Sequence, residues 1–234
     1  MSYIRKADQR GMVDIGWLKS KHSFSFGHYY DHDHMGVSVL RVINDDTVAP
    51  GAGFDTHGHR DMEIISYVLE GELEHQDNQG NRHIVRPGEV QRMSAGTGVM
   101  HSEFNPSKTN RVKFLQIWII PNKVGVAPSY QQKKIEQHAK LTPLVTPDGH
   151  SGSISMHQDA SLYRLKLSTN DSLHLQYGTD RQGYLHVIEG DISVNGVALS
   201  AGDAIAPDST ESLEFISNDS EVEALWFDLP KKKH

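Results

Sequence analysis

Two short motifs in the first half of the chain carry side chains that could bind one metal ion. The first contains His57 and His59, and the second, after a glycine-rich turn, contains His101 and Glu103. Side chains at positions i and i+2 of a strand point to the same face of the sheet, so each motif presents both of its ligands in one direction. If the two strands are neighbours, all four side chains meet, and the sequence therefore predicts one metal site.

The predicted donor set is three imidazole nitrogens and one carboxylate. Such a set suits a borderline divalent metal, with Fe, Ni, Co, Mn, Cu and Zn as the candidates, and it leaves coordination positions open for substrate or dioxygen. Cysteine is absent from the chain. Its absence excludes thiolate metal sites, disulfides and cysteine nucleophiles.

The elements that must position these side chains are predicted to be strands. Short apolar and β-branched runs recur between Gly, Asn, Asp and Pro residues, which is typical of an all-β sandwich or barrel. These runs are Val37–Ile43, Ile64–Leu69, Phe114–Ile120, Leu185–Ile188 and Ala224–Leu229. Phe114–Ile120 is apolar at nearly every position, which predicts a strand that is buried on both faces.

A weak internal repeat predicts the domain organisation. The segment Tyr67–Leu73 (YVLEGEL) reappears as His186–Ile192 (HVIEGDI), and in both copies a strand ends at Glu-Gly where a second strand begins. This pattern predicts a hairpin turn in each copy. We expect two stacked β-barrels, residues 1–125 with the metal site and residues 126–234 without one. The alternative is two unrelated β domains that share common turn chemistry.

Residues 121–161, between the two repeats, are rich in Pro and Gly and are predicted to be mostly connection. Within them, residues 129–140 could form a short helix with Ser129 as its N-cap.

Charge and composition narrow the possible partners and location. The chain has 234 residues and a net charge of −7, and an acidic surface repels phosphate backbones, so we expect no direct contact with nucleic acid. No apolar run is long enough to span a bilayer, and the N-terminus lacks the apolar region of a signal peptide. We therefore expect a cytoplasmic monomer without membrane contact. Binding to another protein is retained as an alternative.

Together with the glycines around them, the two histidine motifs resemble the two cupin motifs. The first is G-(x)5-H-x-H-(x)3-E from Gly51, and the second is G-x-G-x-x-H-x-x-x-N from Gly96 to Asn105. The longer segments HGHRDMEIISYVLEGELEHQD, MSAGTGVMHSEFNPS and SFSFGHYYD narrow this resemblance to the pirin family. The chain departs from the family at Gly58, where proline is common, which loosens the backbone but removes no ligand.

The resemblance implies a bicupin of two jelly-roll-type barrels with one metal in the N-terminal barrel. The implied ligands are His57, His59, His101 and Glu103, and the metal expected first is Fe2+, with Ni, Co, Mn, Cu or Zn as alternatives. At the matching positions of the second half stand Gln176, Gly178 and Phe215. These residues cannot replace three histidines, which supports one metal per chain.

The resemblance also implies a function, a quercetin 2,3-dioxygenase that opens a flavonol and releases carbon monoxide. Glu103 would take the proton of the substrate hydroxyl, and the substrate could instead be another enolic or catecholic compound. The alternative is a metal- or redox-sensing regulatory protein that acts through protein partners, or a metal-binding stress protein without turnover. An enzyme needs an open, apolar-walled cavity at the metal, whereas a sensor can be closed.

Two further motifs have weaker claims to a metal. His32 and His34 form a second H-x-H pair, but they lie in a predicted loop without an H-x-E partner. Glu63 shares strand parity with His57 and His59 and could support a ligand histidine, although a structural role is favoured.

Overall fold

The computed structural model describes residues 2–176, 178, 180–208 and 212–231. Within these ranges the chain is almost entirely β-structure, with two short 3-10 helices at Ala7–Gln9 and His150–Gly152. This confirms the predicted all-β class. None of the helices in the described ranges has the length and apolar character needed to cross a membrane.

The strands are short and follow one another closely along the chain. The first half contributes β1 (Tyr3–Arg5), β2 (Gly11–Asp14), β3 (Leu18–His22), β4 (Leu40–Val48), β5 (Gly53–His59), β6 (Glu63–Glu70), β7 (Leu73–Asp77), β8 (Arg82–Val85), β9 (Glu89–Ser94), β10 (Val99–Phe104) and β11 (Val112–Ile119). The second half contributes β12 (Ser129–Lys134), β13 (Leu141–Thr146), β14 (Ile154–Ser155), β15 (Ser161–Leu167), β16 (Ser172–Gln176), β17 (Arg181–Glu189), β18 (Ile192–Val194), β19 (Val197–Leu199), β20 (Ala204–Ala206), β21 (Ser212–Ser217) and β22 (Val222–Pro230).

Each half is built from one large and one small sheet. In the first half, the order β12-β9-β6-β11-β4-β3-β2 forms the large sheet and β5-β10-β7-β8 forms the small one. In the second half, the corresponding orders are β1-β20-β17-β22-β15-β13-β14 and β16-β21-β18-β19. Apolar side chains from the large and the small sheet pack together inside each half. The predicted pair of jelly-roll-type halves is confirmed.

The central strand β11 explains why its sequence is apolar almost throughout. Val112 and Phe114 point into the first half and join its interior core. Leu115, Ile117 and Ile119 point the other way and pack against the second half. The central strand β22 of the second half alternates in the same manner. The two large sheets are therefore stacked face to face, and burying both faces of each central strand stabilises this arrangement.

The Glu-Gly repeat occupies the same turn in both halves. Gly71 and Gly190 adopt φ values of +77° and +80°, and a Cβ atom would lie 2.5 Å from Arg111 O and 2.1 Å from Glu221 O. Only glycine fits such a turn without strain. The strands that end there, β6 and β17, hold the same position in their sheets. The matching sheet orders favour an internal repeat over two unrelated domains.

Two strands cross between the halves. β1 pairs with β20 in the large sheet of the second half, and β12 pairs with β9 in that of the first. The helix predicted over residues 129–140 is therefore wrong, and the connection predicted over residues 121–161 is wrong in large part, because it contains β12, β13 and β14. β12 is a polar edge strand, so it lacks the apolar alternation by which strands are recognised. The domain boundary at residue 125 stays a prediction.

Candidate metal centre

The three predicted histidines lie together on the small sheet of the first half. β5 and β10 are antiparallel neighbours, and their register places His101 opposite His57 and Val99 opposite His59. The ring centroids of the three histidines are separated by 4.5 to 4.9 Å. One nitrogen of each ring lies within 4.8 Å of one nitrogen of each of the other two, which is close enough for one ion.

A chain of hydrogen bonds fixes which ring nitrogens carry protons. Nε2 of His75 lies 3.0 Å from the Asp77 carboxylate, which can only accept, so this nitrogen donates. Nδ1 of His75 then accepts from Nδ1 of His101, which lies 3.3 Å away. On the other side, Nδ1 of His57 donates to the carbonyl oxygen of Asp55 at 2.7 Å. In neutral rings this leaves bare lone pairs on Nε2 of both His57 and His101.

These two bare nitrogens lie only 3.1 Å apart. Two lone pairs at that distance repel each other, whereas a cation beside both rings would accept them together. The geometry thus fits a bound metal ion, with outer hydrogen bonds that orient its ligands in the usual way.

The protonation states of the histidines also suit a metal. Burial, reinforced by the neighbouring imidazoles, lowers the pKa of His59 to about 4 and that of His101 to about 2. Burial likewise lowers the pKa of His75, although the hydrogen bond to Asp77 opposes it. Neutral imidazoles are the form that binds metals, and these low pKa values keep the rings neutral at neutral pH.

Glu103 lies beside the histidine cluster rather than within it. Its ligand atom groups with those of His101 and His75 within 4.8 Å, and the β5–β10 register shifts between His101 and Glu103. The carboxylate accepts hydrogen bonds from Ser66 Oγ at 3.2 Å and from Gln116 Nε2 at 2.8 Å. Burial raises the pKa of Glu103 to about 7, so its carboxyl can take or release a proton near neutral pH.

Sequence reasoning missed several residues that support this centre. His75 lies opposite Glu103 on β7, and Ser66 and Gln116 reach the carboxylate from β6 and β11 of the facing sheet. The alternation of Leu73, His75 and Asp77 on one face of a strand was the available signal. A single histidine in such a pattern is more often structural, so this signal is weak.

An open cavity of about 430 Å³ adjoins the histidines. His57 and His59 form part of its wall. Four aromatic side chains, Trp17, Phe26, Phe54 and Trp118, supply much of its apolar surface, and polar side chains such as Asn44, Asp46 and Gln116 complete the lining. The Trp118 ring lies edge-on to His59 at 5.0 Å between centroids. This volume falls in the range of cavities that bind small organic molecules.

Asp46 places a carboxyl group in the wall of this cavity. Its side chain is 2% exposed, and among the described residues its Oδ1 atom has no hydrogen-bond partner. Burial, with a contribution from nearby Glu103, raises the pKa of Asp46 to about 7. The residue follows Val42 to Asp45 on β4 without any motif, so sequence reasoning did not find it.

The two weaker candidates lie outside the centre. His34 shares a 2.7 Å hydrogen bond with Tyr3 OH, and its Nε2 lies 3.9 Å from the Asp31 carboxylate. The potential ligand atoms of Asp31 and Asp33 group with His32, away from the three-histidine cluster. Glu63 is buried and accepts a hydrogen bond from Ser94 Oγ at 2.8 Å, away from the cavity. The favoured structural role of Glu63 agrees with this contact.

The second half fills the corresponding space with apolar side chains. Phe215 on β21 is fully buried, and its ring packs edge-on against Trp226 at 5.4 Å between centroids. Gln176 at the end of β16 is exposed, as is Gly178 beyond it. In the described part of this half, no group of three potential ligands comes together.

Comparisons with known proteins connect both halves to one family. The family model described as Pirin matches residues 3–119, and the model described as quercetinase C-terminal cupin domain matches residues 143–229. A protein of Escherichia coli strain K12 named quercetin 2,3-dioxygenase is 46% identical over 230 residues, 98% of this chain and 99% of that protein. A pirin-like protein of Caulobacter vibrioides is 43% identical over 201 residues, 84% of this chain and 86% of that protein.

A solved structure is similar over the same length. The bacterial pirin YhhW from Escherichia coli, crystallised in complex with nickel(II), matches with a TM-score of 0.95 at 44% identity, and the match covers 99% of this chain and 100% of that one. Together with the histidine cluster, this similarity supports binding of a divalent metal.

Proposed function

The chain belongs to the pirin family, and on that premise we propose that it is a metal-dependent dioxygenase that opens flavonols such as quercetin. In this proposal His57, His59 and His101 hold the metal through one ring nitrogen each, and Glu103 completes the set from the His101 side. We expect Fe2+ as the native ion, with Ni, Co, Mn, Cu and Zn as alternatives.

The observation that carries the proposal is the cavity at the histidines. It is open, four aromatic side chains contribute to its wall beside several polar ones, and two of the three histidines line it. Flat aromatic rings stack favourably against such walls, so a flavonol fits their chemistry. A regulatory protein that only senses its metal has no need of an apolar cavity of this size. The cavity therefore favours the enzyme over the sensor.

The reaction would begin with loss of a proton from the substrate. A divalent metal, when bound, lowers the pKa of a coordinated hydroxyl group. The ligand atom of Glu103 lies within 4.8 Å of that of His101, so in this proposal Glu103 would accept the proton of a hydroxyl held beside His101. A carboxyl group whose pKa is about 7 accepts this proton efficiently at neutral pH. Loss of the hydroxyl proton leaves an electron-rich ring, and this anion would be the form that dioxygen attacks.

Other residues orient the substrate. Ser66 and Gln116 hold the Glu103 carboxylate through hydrogen bonds, so that the base has a defined position. Asp46 lines the same cavity, and its carboxyl group would accept a hydrogen bond from a second hydroxyl of a polyhydroxylated substrate. The aromatic side chains of the wall would pack against the rings of the substrate and orient them.

The proposal is tested with the purified protein loaded in turn with Fe, Mn, Ni and Co. The absorbance of quercetin is followed under air and under nitrogen, with chelator-treated protein as the control. Loss of absorbance that requires both metal and oxygen supports the proposal. Absence of turnover with every metal and with several flavonols would transfer support to the regulatory role.

A further inference from the structure

A second, smaller cavity lies between the two halves of the molecule, away from the histidine cluster. Its volume is about 120 Å³, and we call it the interface cavity. Strands β3, β4, β6 and β11 line it from the first half, and β17 lines it from the second. Its polar lining consists of Arg10, Lys21, Asp45, Lys113 and His186.

The lining is strongly cationic. Three of these side chains carry a positive charge, and Asp45 carries the single negative charge among them. The Asp45 carboxylate is shared, at 3.5 Å from the Arg10 guanidinium and 3.7 Å from the Lys113 ammonium. Both distances are long for a hydrogen-bonded ion pair. The cavity therefore keeps an excess of two positive charges close together.

Two buried nitrogens of the lining have no partner among the described residues. They are Nη1 of Arg10, whose side chain is 2% exposed, and Nδ1 of His186, whose residue is 1% exposed. The other contact of the Arg10 guanidinium, from Nε to Ala7 O, is 3.5 Å long. A buried guanidinium with five N–H donors and no short hydrogen bond is costly to leave in that state. An acceptor-rich ligand in the cavity would remove the cost.

The internal repeat provides a comparison within the same molecule. Tyr67 occupies in the first half the position of His186 in the second, and Glu223 occupies the position of Lys113. There, Tyr67 donates a 2.6 Å hydrogen bond to Glu223, which also pairs with Lys166 at 2.6 Å. In that contact between the halves, the Tyr67 hydroxyl and the Glu223 carboxylate both have short hydrogen-bond or ion-pair partners within the protein. The equivalent place around His186 has a cavity, cations and unused donors instead.

We propose that the interface cavity binds a small tetrahedral oxyanion with two negative charges, such as phosphate. Arg10 and Lys113 would donate to its oxygens from the first half, and His186 would donate from the second. The oxyanion could be free phosphate or the phosphate group of a small monoester. Lys21 at the mouth of the cavity is exposed, so the organic part of a monoester would extend into solvent there. Because the ligand touches both halves, its binding stabilises their packing.

The test follows thermal unfolding and calorimetric binding of the metal-loaded protein with inorganic phosphate, with sodium chloride at matched ionic strength as the reference. We expect a saturable rise in Tm with phosphate and none with chloride. Lys113→Gln should weaken phosphate binding about fivefold or more, since a charge-assisted hydrogen bond is lost. Lys108→Gln, the same change at an exposed position away from the cavity, should leave binding unchanged. Glycerol 3-phosphate, used in parallel, distinguishes a monoester site from a site for the free ion.

Lys113 and Lys21 lie at the partly exposed rim, so their variants should fold even if changes at buried Arg10 do not. Absence of a saturable effect beyond that of chloride would overturn the proposal. An equal effect in wild type and in Lys113→Gln would also overturn it. The comparison of wild type with Lys113→Gln separates binding in the interface cavity from binding at the histidine cluster, and it does not require flavonol turnover, so this proposal and the proposed function can fail separately.

Discussion

The Nδ1 atoms of His75 and His101 lie 3.3 Å apart, and His75 is held in turn by the Asp77 carboxylate. This contact assigns the proton of His101 to Nδ1 and directs the lone pair of its Nε2 toward His57. His75, which is outside the predicted ligand set, therefore fixes the proton position of a predicted metal ligand.

Replacing His75 tests this role. We expect His75→Phe to weaken metal binding about 10- to 100-fold, because Nδ1 of His101 loses its acceptor and the ring its fixed orientation. His75→Asn, which retains an acceptor, should recover part of the affinity. Metal dissociation constants from competition with a chelator measure the effect. His83→Phe, an exposed histidine on β8, is the matched control. Equal affinities in His75→Phe and wild type would remove His75 from the centre.

Glu103→Gln separates metal binding from chemistry. The amide keeps the size of the side chain but cannot accept a proton and is a poor ligand. The variant should retain metal through the three histidines and lose flavonol turnover, together with the limb of the pH–rate profile that the base sets. Metal content and turnover are measured in the same preparation. As the control, the same change at the buried Glu63, which does not line the cavity, should keep both the metal and the turnover. Full turnover of Glu103→Gln would exclude Glu103 as the base.

Asp46→Asn should change stability in a pH-dependent way. Burial raises the pKa of Asp46 from 3.8 to about 7 in the folded protein. The stability due to the protonated carboxyl is therefore complete below the unfolded value and is lost as the pH rises through about 7. The asparagine variant should gain at most about 4 kcal/mol over wild type at pH 8 and almost nothing near pH 4.

Urea unfolding of the metal-free proteins at the two pH values measures this difference. Asp8→Asn, the same change at an exposed position outside the cavities described above, serves as the control. An identical effect of Asp46→Asn at both pH values would contradict a buried carboxyl with a raised pKa.

The sequence predicted those parts of the molecule that depend on local pattern. His57 and His59 are spaced i and i+2, as are His101 and Glu103. This spacing predicts that the three histidine rings lie on one face of adjacent strands, and the structure has them there. The continuous apolar run of β11 predicted burial on both faces. The edge strand β12 was missed because its alternation is polar on both faces. His75 and Asp46 were missed because their roles come from strands that meet only in the fold.

We propose that this chain opens flavonols with the help of a divalent metal. The most direct measurement is the carbon monoxide released per quercetin consumed by the metal-loaded protein in air, with His101→Ala as the parallel sample. We expect one carbon monoxide for each quercetin consumed in the loaded protein and none in the variant. Quercetin consumption without carbon monoxide, or equal release from His101→Ala, would contradict the claim.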